Sequence, residues 1–212
     1  MKREDDVSIE ETASALRDLI EEGKVRYIGI SNESSFGVSQ WVQACEKLGI
    51  RDKLASIQNS YSLLDRRFDS ELAEICDAYE IGLLPWSILA GGLLSGKYQS
   101  GKVPTKSSRF VKYPEYMSRW SPVSARPETL AAVDDYVEIA KDAGMSPSEL
   151  AIAFVRSRPF VANFGSTIVG ATTMEQLKDN LAPFTNENVL EDDVLEAINK
   201  VHLRCRDPSC AL

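Results

Sequence analysis

With 212 residues, 43% of them hydrophobic and 26% charged, the chain has the means to build one large globular domain around a sizeable core. A net charge of −8 leaves out the basic footprint of a nucleic-acid binder, and no apolar run approaches the roughly 20 residues of a membrane span. The charged opening MKREDDVS lacks the apolar stretch of a secretory signal, and PSCAL puts Cys210 third from the end, where prenylation needs it fourth.

The first helix is signalled by Ser8 and Glu11 at capping-box spacing, by the stripe Ile9, Ala13, Leu16, Leu19 and Ile20, and by Gly23 as its stop. A strand is expected at 25–31. A second helix carries Val38, Trp41, Val42, Cys45 and Leu48 and ends at Gly49. The next strand is expected at 54–62. Asp69 suits the N-cap of a third helix that buries Leu72, Ile75, Cys76 and Tyr79. A strand at 82–89 follows, with Pro85 arguing for a bulge or an early end. Glycines and prolines crowd 90–126, which reads as one long loop. Pro127 opens a helix that Gly144 closes. Ser146, Pro147 and Glu149 open another, which Pro159 is expected to end. A fourth strand is expected at 165–171, then the helices TTMEQLKDNL and EDDVLEAINKVH, then an irregular tail over 203–212. Strands alternating with helices imply an α/β fold with a parallel sheet and right-handed crossovers, in a single domain over 1–212.

The four cysteines form no CxxC, and His202 is the only histidine, so no metal site is expected. Cys45 and Cys76 read as small core residues. Cys205 and Cys210 read as tail residues, with a redox role left open.

Ligands of parallel α/β folds bind at the carboxyl ends of strands. Here those ends read Ser31-Asn32, Gln58-Asn59-Ser60, Trp86-Ser87 and Gly170-Ala171-Thr172. Ser and Asn also cap helices, and that simpler role accounts for any one of these ends taken alone. Together they suit a planar amide, an aromatic ring on Trp86, and phosphate at the helix start beyond Thr172 and Thr173. An amide, a ring and phosphates suggest a nicotinamide dinucleotide.

At these same residues GKVRYIGISN, SIQNSYSLL, LLPWSILAGGLLSGKY and IVGATTMEQLKDN resemble consecutive blocks of the aldo-keto reductase family. The resemblance is nearest to the branch of Tas-like reductases and potassium channel β-subunits, and covers roughly residues 8–203. It implies a TIM-barrel-type (β/α)8 fold that binds NADPH and reduces aldehydes or ketones to alcohols. Ser31, Asn32 and Gln58 would then hold the nicotinamide carboxamide, with Trp86 stacked on the ring. Ser87, Leu89, Ala90, Gly91 and Lys97 would line the pyrophosphate, and Arg109 would meet the 2′-phosphate. Gly170, Thr172, Gln176, Asp179 and Asn180 would hold the adenosine end. Asp179 stands where the family often has Glu, and Ile88 where it often has Pro.

The resemblance also implies that the catalytic Asp, Tyr, Lys and His precede this stretch, so the chain is expected to supply about the last four βα units, a half barrel. No catalytic residue is assigned, and the isolated chain is expected to be inactive. Three readings stay open: a fragment of a full reductase, a short form that binds cofactor or a partner without catalysis, and a half that self-associates or docks with another chain over its open strand edges. A small carbonyl substrate is expected only with the missing half. The composition and reduced-looking cysteines suggest the cytoplasm, or an organelle interior such as a chloroplast.

Overall fold

The computed structural model describes residues 7–99, 102, 104–106, 108–115, 120–185 and 190–208. In chain order its elements are α1 (Ile9–Glu21), β1 (Ile28–Ser31), α2 (Ser35–Lys47), β2 (Leu54–Gln58), α3 (Glu71–Ala78), β3 (Gly82–Leu83), α4 (Arg109–Lys112), α5 (Pro127–Asp142), α6 (Pro147–Arg156), α7 (Pro159–Ala162), α8 (Met174–Thr185) and α9 (Asp192–Arg204), with short 3-10 turns between some of them. They fall into two compact units: Met1–Asn59 with Phe68–Leu84 and Pro159–Ser166, and Ser60–Arg67 with Pro85–Arg158 and Thr167–Leu212.

The first unit is a parallel sheet in the order β1-β2-β3, with α2 and α3 as its crossovers. Ile28 and Ile30 of β1 point into the core while Gly29 and Ser31 face out, a period-2 pattern. Val38, Trp41, Val42, Ala44 and Cys45 bury one face of α2, and Phe68 meets Phe160 with ring centroids 4.9 Å apart. Glycines stop two of its helices by the same geometry. Gly23 and Gly49 take left-handed φ of 72° and 70°. Lys24 N–H then bonds Leu19 O and Ile50 N–H bonds Cys45 O, which satisfies the last carbonyls. α3 makes the same closure with Glu80 at φ 53°, a residue that gains nothing from that conformation.

The second unit is helical. Leu150 to Val155 of α6 are all buried, as befits a helix apolar all round, and α5 and α8 pack on it. Its start is a complete capping box: Ser146 Oγ accepts from Glu149 N–H, and Glu149 Oε2 accepts from Ser146 N–H at 2.7 Å. Tyr61 stacks on Phe154 with centroids 6.1 Å apart.

Several expectations are corrected. The strands are shorter than 25–31, 54–62 and 82–89, and β3 stops before Pro85, which has no N–H for a ladder. The segment 165–171 forms no strand. Ser166 N–H donates to Leu83 O and Ile168 N–H to Pro85 O, but the proline cannot donate in return, so no two-way ladder develops. Asp69 lies in a 3-10 turn, and Ser70 takes the N-cap of α3 without a side-chain cap bond. Of the expected α3 face only Cys76 is buried, while Tyr79 lies outside with the Arg51 guanidinium over its ring. Pro159 opens α7 rather than closing α6, which is capped at Ser157. The 90–126 loop holds a 3-10 turn at Ala90–Ser95 and the single turn α4. α9 continues to Arg204, two residues into the expected tail, and Cys210 lies outside the described residues. Among the described residues no helix is long and apolar enough to cross a membrane.

Candidate functional site

In the first unit, parallel register sets Ser31 beside Gln58 at the carboxyl ends of β1 and β2. The preceding residues, Ile30 and Ile57, are buried, so alternation turns Ser31 and Gln58 outward. Ser31 Oγ donates to Gln58 O at 2.9 Å, and Asn32 N–H donates to the same carbonyl at 3.1 Å. Asn32 then takes left-handed φ of 54°, which Asn tolerates better than most residues. The side-chain amides of Asn32 and Gln58 are exposed, and among the described residues neither has a hydrogen-bond partner. Together they offer two carbonyl acceptors and two amide donors, enough to match a planar carboxamide on both of its edges.

The loop after Asn32 is held from three sides. Asn59 Nδ2 donates to Glu33 O at 3.2 Å, and Trp41 Nε1 donates to Glu33 Oε1 at 3.0 Å. Ser34 caps α2 by accepting from Gly37 N–H. A Cβ on Gly37 would sit 2.1 Å from Glu33 Oε2, so the carboxylate rests over bare backbone. Sequence reasoning read Trp41 as core and Asn59 as a strand end, and did not see Glu33 or Gly37. A glycine in a first helical turn beside a carboxylate was the available signal.

In the second unit, Trp86 forms a parallel bridge with Ser60, and its carbonyl accepts from Tyr61 N–H at 3.3 Å. Trp86 is half-buried. The backbone beyond it bends sharply: φ is 59° at Ser87, 47° at Ala90, 66° at Gly91 and 99° at Gly92. Bonds from Ala90 N–H to Ser87 O and from Gly92 N–H to Leu89 O hold the bend. Successive peptide N–H groups turned this way form anion-binding concavities, and glycines leave the backbone bare to approach. Lys97 is exposed, with Nζ 5.0 Å from the Tyr98 ring centroid, and the Tyr98 hydroxyl pairs with Ser108 Oγ at 2.9 Å. Arg109 begins α4, but its side chain lies outside the described residues.

The start of α8 is also pre-arranged. Gln176 Oε1 accepts from Thr172 N–H at 3.0 Å and from Thr172 Oγ1 at 2.9 Å, which leaves its NH2 group to point elsewhere. Asn180 is buried and donates to Gly170 O at 3.0 Å, so it shapes the turn. Asp179 is exposed. Within the first unit the structure brings together Ser31, Asn32 and Gln58; within the second, Trp86 to Gly91 share one bend, and Gly170, Thr172, Gln176 and Asn180 surround the start of α8.

Proton donors are less well provided for. Tyr61 is fully buried against Phe154. Tyr136 is committed to Leu63 O, and burial pushes its phenol well above the ordinary value. Lys53 Nζ lies 5.9 Å from the Tyr27 ring centroid, but both residues sit before their strands, at the end of the sheet away from Ser31 and Gln58. His202 is in the last helix, α9.

The family model described as "Aldo/keto reductase family" matches residues 3–202. The chain is 41% identical over 201 residues to "Protein tas" of Escherichia coli (strain K12), which covers 92% of this chain and 53% of that protein. It is 34% identical to "Aldo-keto reductase" of Babesia bovis, covering 97% and 70%, and 30% identical to "Probable voltage-gated potassium channel subunit beta" of Oryza sativa subsp. japonica, covering 91% and 57%. The chain therefore spans about half the length of the curated Tas relative it matches.

Proposed function

The chain belongs to the aldo/keto reductase family, and from that membership we propose that it supplies the cofactor-holding part of an NADPH-dependent carbonyl reductase. The family's (β/α)8 fold accords with the parallel sheet and crossover helices. The observation that carries the proposal is the pair of open side-chain amides, Asn32 and Gln58, at adjacent parallel strand ends.

Each unit carries donors suited to part of a nicotinamide dinucleotide phosphate, and family membership is what assigns them to one cofactor. Asn32, Gln58 and Ser31 take the carboxamide, and Trp86 offers its face to the ring. The bent, glycine-bearing backbone of Ser87, Leu89, Ala90 and Gly91, with Lys97, takes the pyrophosphate. The family resemblance assigns Arg109 to the 2′-phosphate and Gly170, Thr172, Gln176, Asp179 and Asn180 to the adenosine end, with buried Asn180 acting there through the turn it holds at Gly170 O. Bound there, the cofactor would supply a hydride to a carbonyl carbon. Carbonyl reduction also needs a proton on the oxygen, and the described Tyr61, Tyr136 and Tyr27 are buried, committed or at the far end of the sheet. On this reading the described residues hold cofactor, the proton donor comes from elsewhere, and the chain alone is expected not to turn over. An aldehyde or ketone substrate enters only when a further polypeptide adds a donor.

The test is a fluorescence titration of the purified chain with NADPH, beside an assay of NADPH oxidation with a panel of aromatic and aliphatic aldehydes. Saturable NADPH binding, weakened about tenfold in Gln58→Ala, with no oxidation, is expected. Failure to bind NADPH refutes the cofactor assignment; saturable turnover refutes the assignment of the proton donor to another polypeptide.

A further inference from the structure

We infer that Asn59 and Trp41 are positioning residues that set Asn32 for the carboxamide, acting through Glu33; the inference rests on the cofactor reading above. Asn32 holds left-handed φ of 54° in an exposed position just past β1, a conformation that Asn tolerates better than most residues and that the bonds around it fix. Its own N–H is fixed by Gln58 O. The next residue, Glu33, is fixed at both ends. Its carbonyl accepts from Asn59 Nδ2 at 3.2 Å, and its carboxylate accepts from the buried Trp41 indole at 3.0 Å. Gly37 gives that carboxylate its place, since a Cβ there would lie 2.1 Å from Oε2. Ser34, which follows, caps α2, accepting from Gly37 N–H at Oγ and from Val38 N–H at its carbonyl, so the segment is tied down on both sides of Glu33.

Asn59 follows Gln58 directly, so one strand end supplies both an open amide and the clamp on the neighbouring one. A purely stabilising role explains this residue poorly. Its Oδ1 is buried without a hydrogen-bond partner among the described residues, an arrangement that detracts from stability. A residue that leaves one polar atom unpaired while its other end fixes a loop is placed for what the loop presents.

The experiment compares the full chain with Asn59→Asp, which cannot donate to Glu33 O, and Trp41→Phe, which keeps a ring but loses the indole N–H. Affinity is read for two probes: NADPH, and 2′,5′-ADP, which has the adenosine end and no nicotinamide. The expected result is a loss of about 3- to 10-fold for NADPH in each variant, with 2′,5′-ADP changed by less than about 2-fold. Equal losses for both probes mean a general structural role and overturn the inference, as does unchanged NADPH affinity. If the unaltered chain binds neither probe, the cofactor reading itself falls. The positioning claim is then decided by the backbone amide and Cα resonances of Asn32 in labelled protein. These are expected to move in both variants while those of Asn180 stay; unmoved Asn32 resonances overturn it.

Discussion

Replacing Gly82 with alanine tests the packing of β3 directly. A Cβ there would lie 1.8 Å from Phe164 O, 2.2 Å from Phe164 C and 2.7 Å from Gly165 N. All three atoms are backbone, so no rotamer change relieves the clash; the chain itself has to move by more than about 1 Å to reach ordinary contact. Movement is opposed on one side by the pairing of Gly82 with Ser56 of β2. It is opposed on the other by Gly165, whose own Cβ would meet Leu83 O at 2.1 Å. Overpacking of this kind costs about 3 kcal/mol, a large share of the roughly 5–15 kcal/mol that holds a domain together. With a urea dependence of about 1–3 kcal/mol per molar, the midpoint should fall by about 1 to 3 M. Gly170→Ala is the control, because a Cβ there has no atom within 4 Å and its φ lies outside the left-handed region. It should change stability by less than about 0.5 kcal/mol. A Gly82→Ala midpoint within experimental error of the unaltered chain would refute the claim that β3 and 164–165 touch through bare backbone.

Glu80→Gly should stabilise the chain by about 0.5–1 kcal/mol, because the exposed Glu80 closes α3 at φ 53° where Gly23 and Gly49 close their helices without Cβ cost; a lower denaturation midpoint would contradict this. Ser146→Ala should cost about 1 kcal/mol by opening the capping box of α6, read as the loss of denaturation midpoint against Ser39→Ala on the exposed side of α2. The Cys76 thiol, pushed by burial from 9.0 to about 12, should resist an aromatic disulfide reagent until the protein unfolds. The folded state keeps this proton where the unfolded chain releases it. Its contribution is therefore intact below the unfolded value and declines as pH rises from about 9 toward about 12; a Cys76→Ala variant with the same alkaline slope would show that another group is responsible.

Local chemistry was readable wherever one residue does one job within a turn or two of itself. Ser8, Ser146 and Pro147 open helices as their spacing implies, and Gly23, Gly49 and Gly144 close them, since capping and left-handed closure involve atoms three to five residues apart. The outward side chains of Ser31 and Gln58 were legible for a similar reason: period-2 alternation puts the residue after a buried isoleucine on the outer face, whereas the exposure of Asn32 follows from its place just past the end of β1. Asp69 misled because a 3-10 turn claimed it first, and α3 misled because only Cys76 of its apolar stripe found cover. Both outcomes depend on neighbours that periodicity does not contain.

What only the tertiary structure decided lies between residues distant in sequence. The 165–171 segment has the β-forming composition of a strand, yet the partner it meets carries Pro85, and a missing N–H on one chain denies the ladder to the other. Gly82 and Gly165 open the segments expected as strands, and nothing local marks the close approach of their backbones to each other's segment. Trp41 and Asn59 read separately as core and strand end, and became a clamp on Glu33 only when folding brought an indole, a carboxylate and an amide within hydrogen-bonding reach. Sequence alone determines the short-range torsions and the faces of helices and strands, because those follow from each residue's own sterics and spacing. Which face is covered, which strand finds a donor and which amide is held still depend on contacts across tens of residues, and those exist only once the chain has folded.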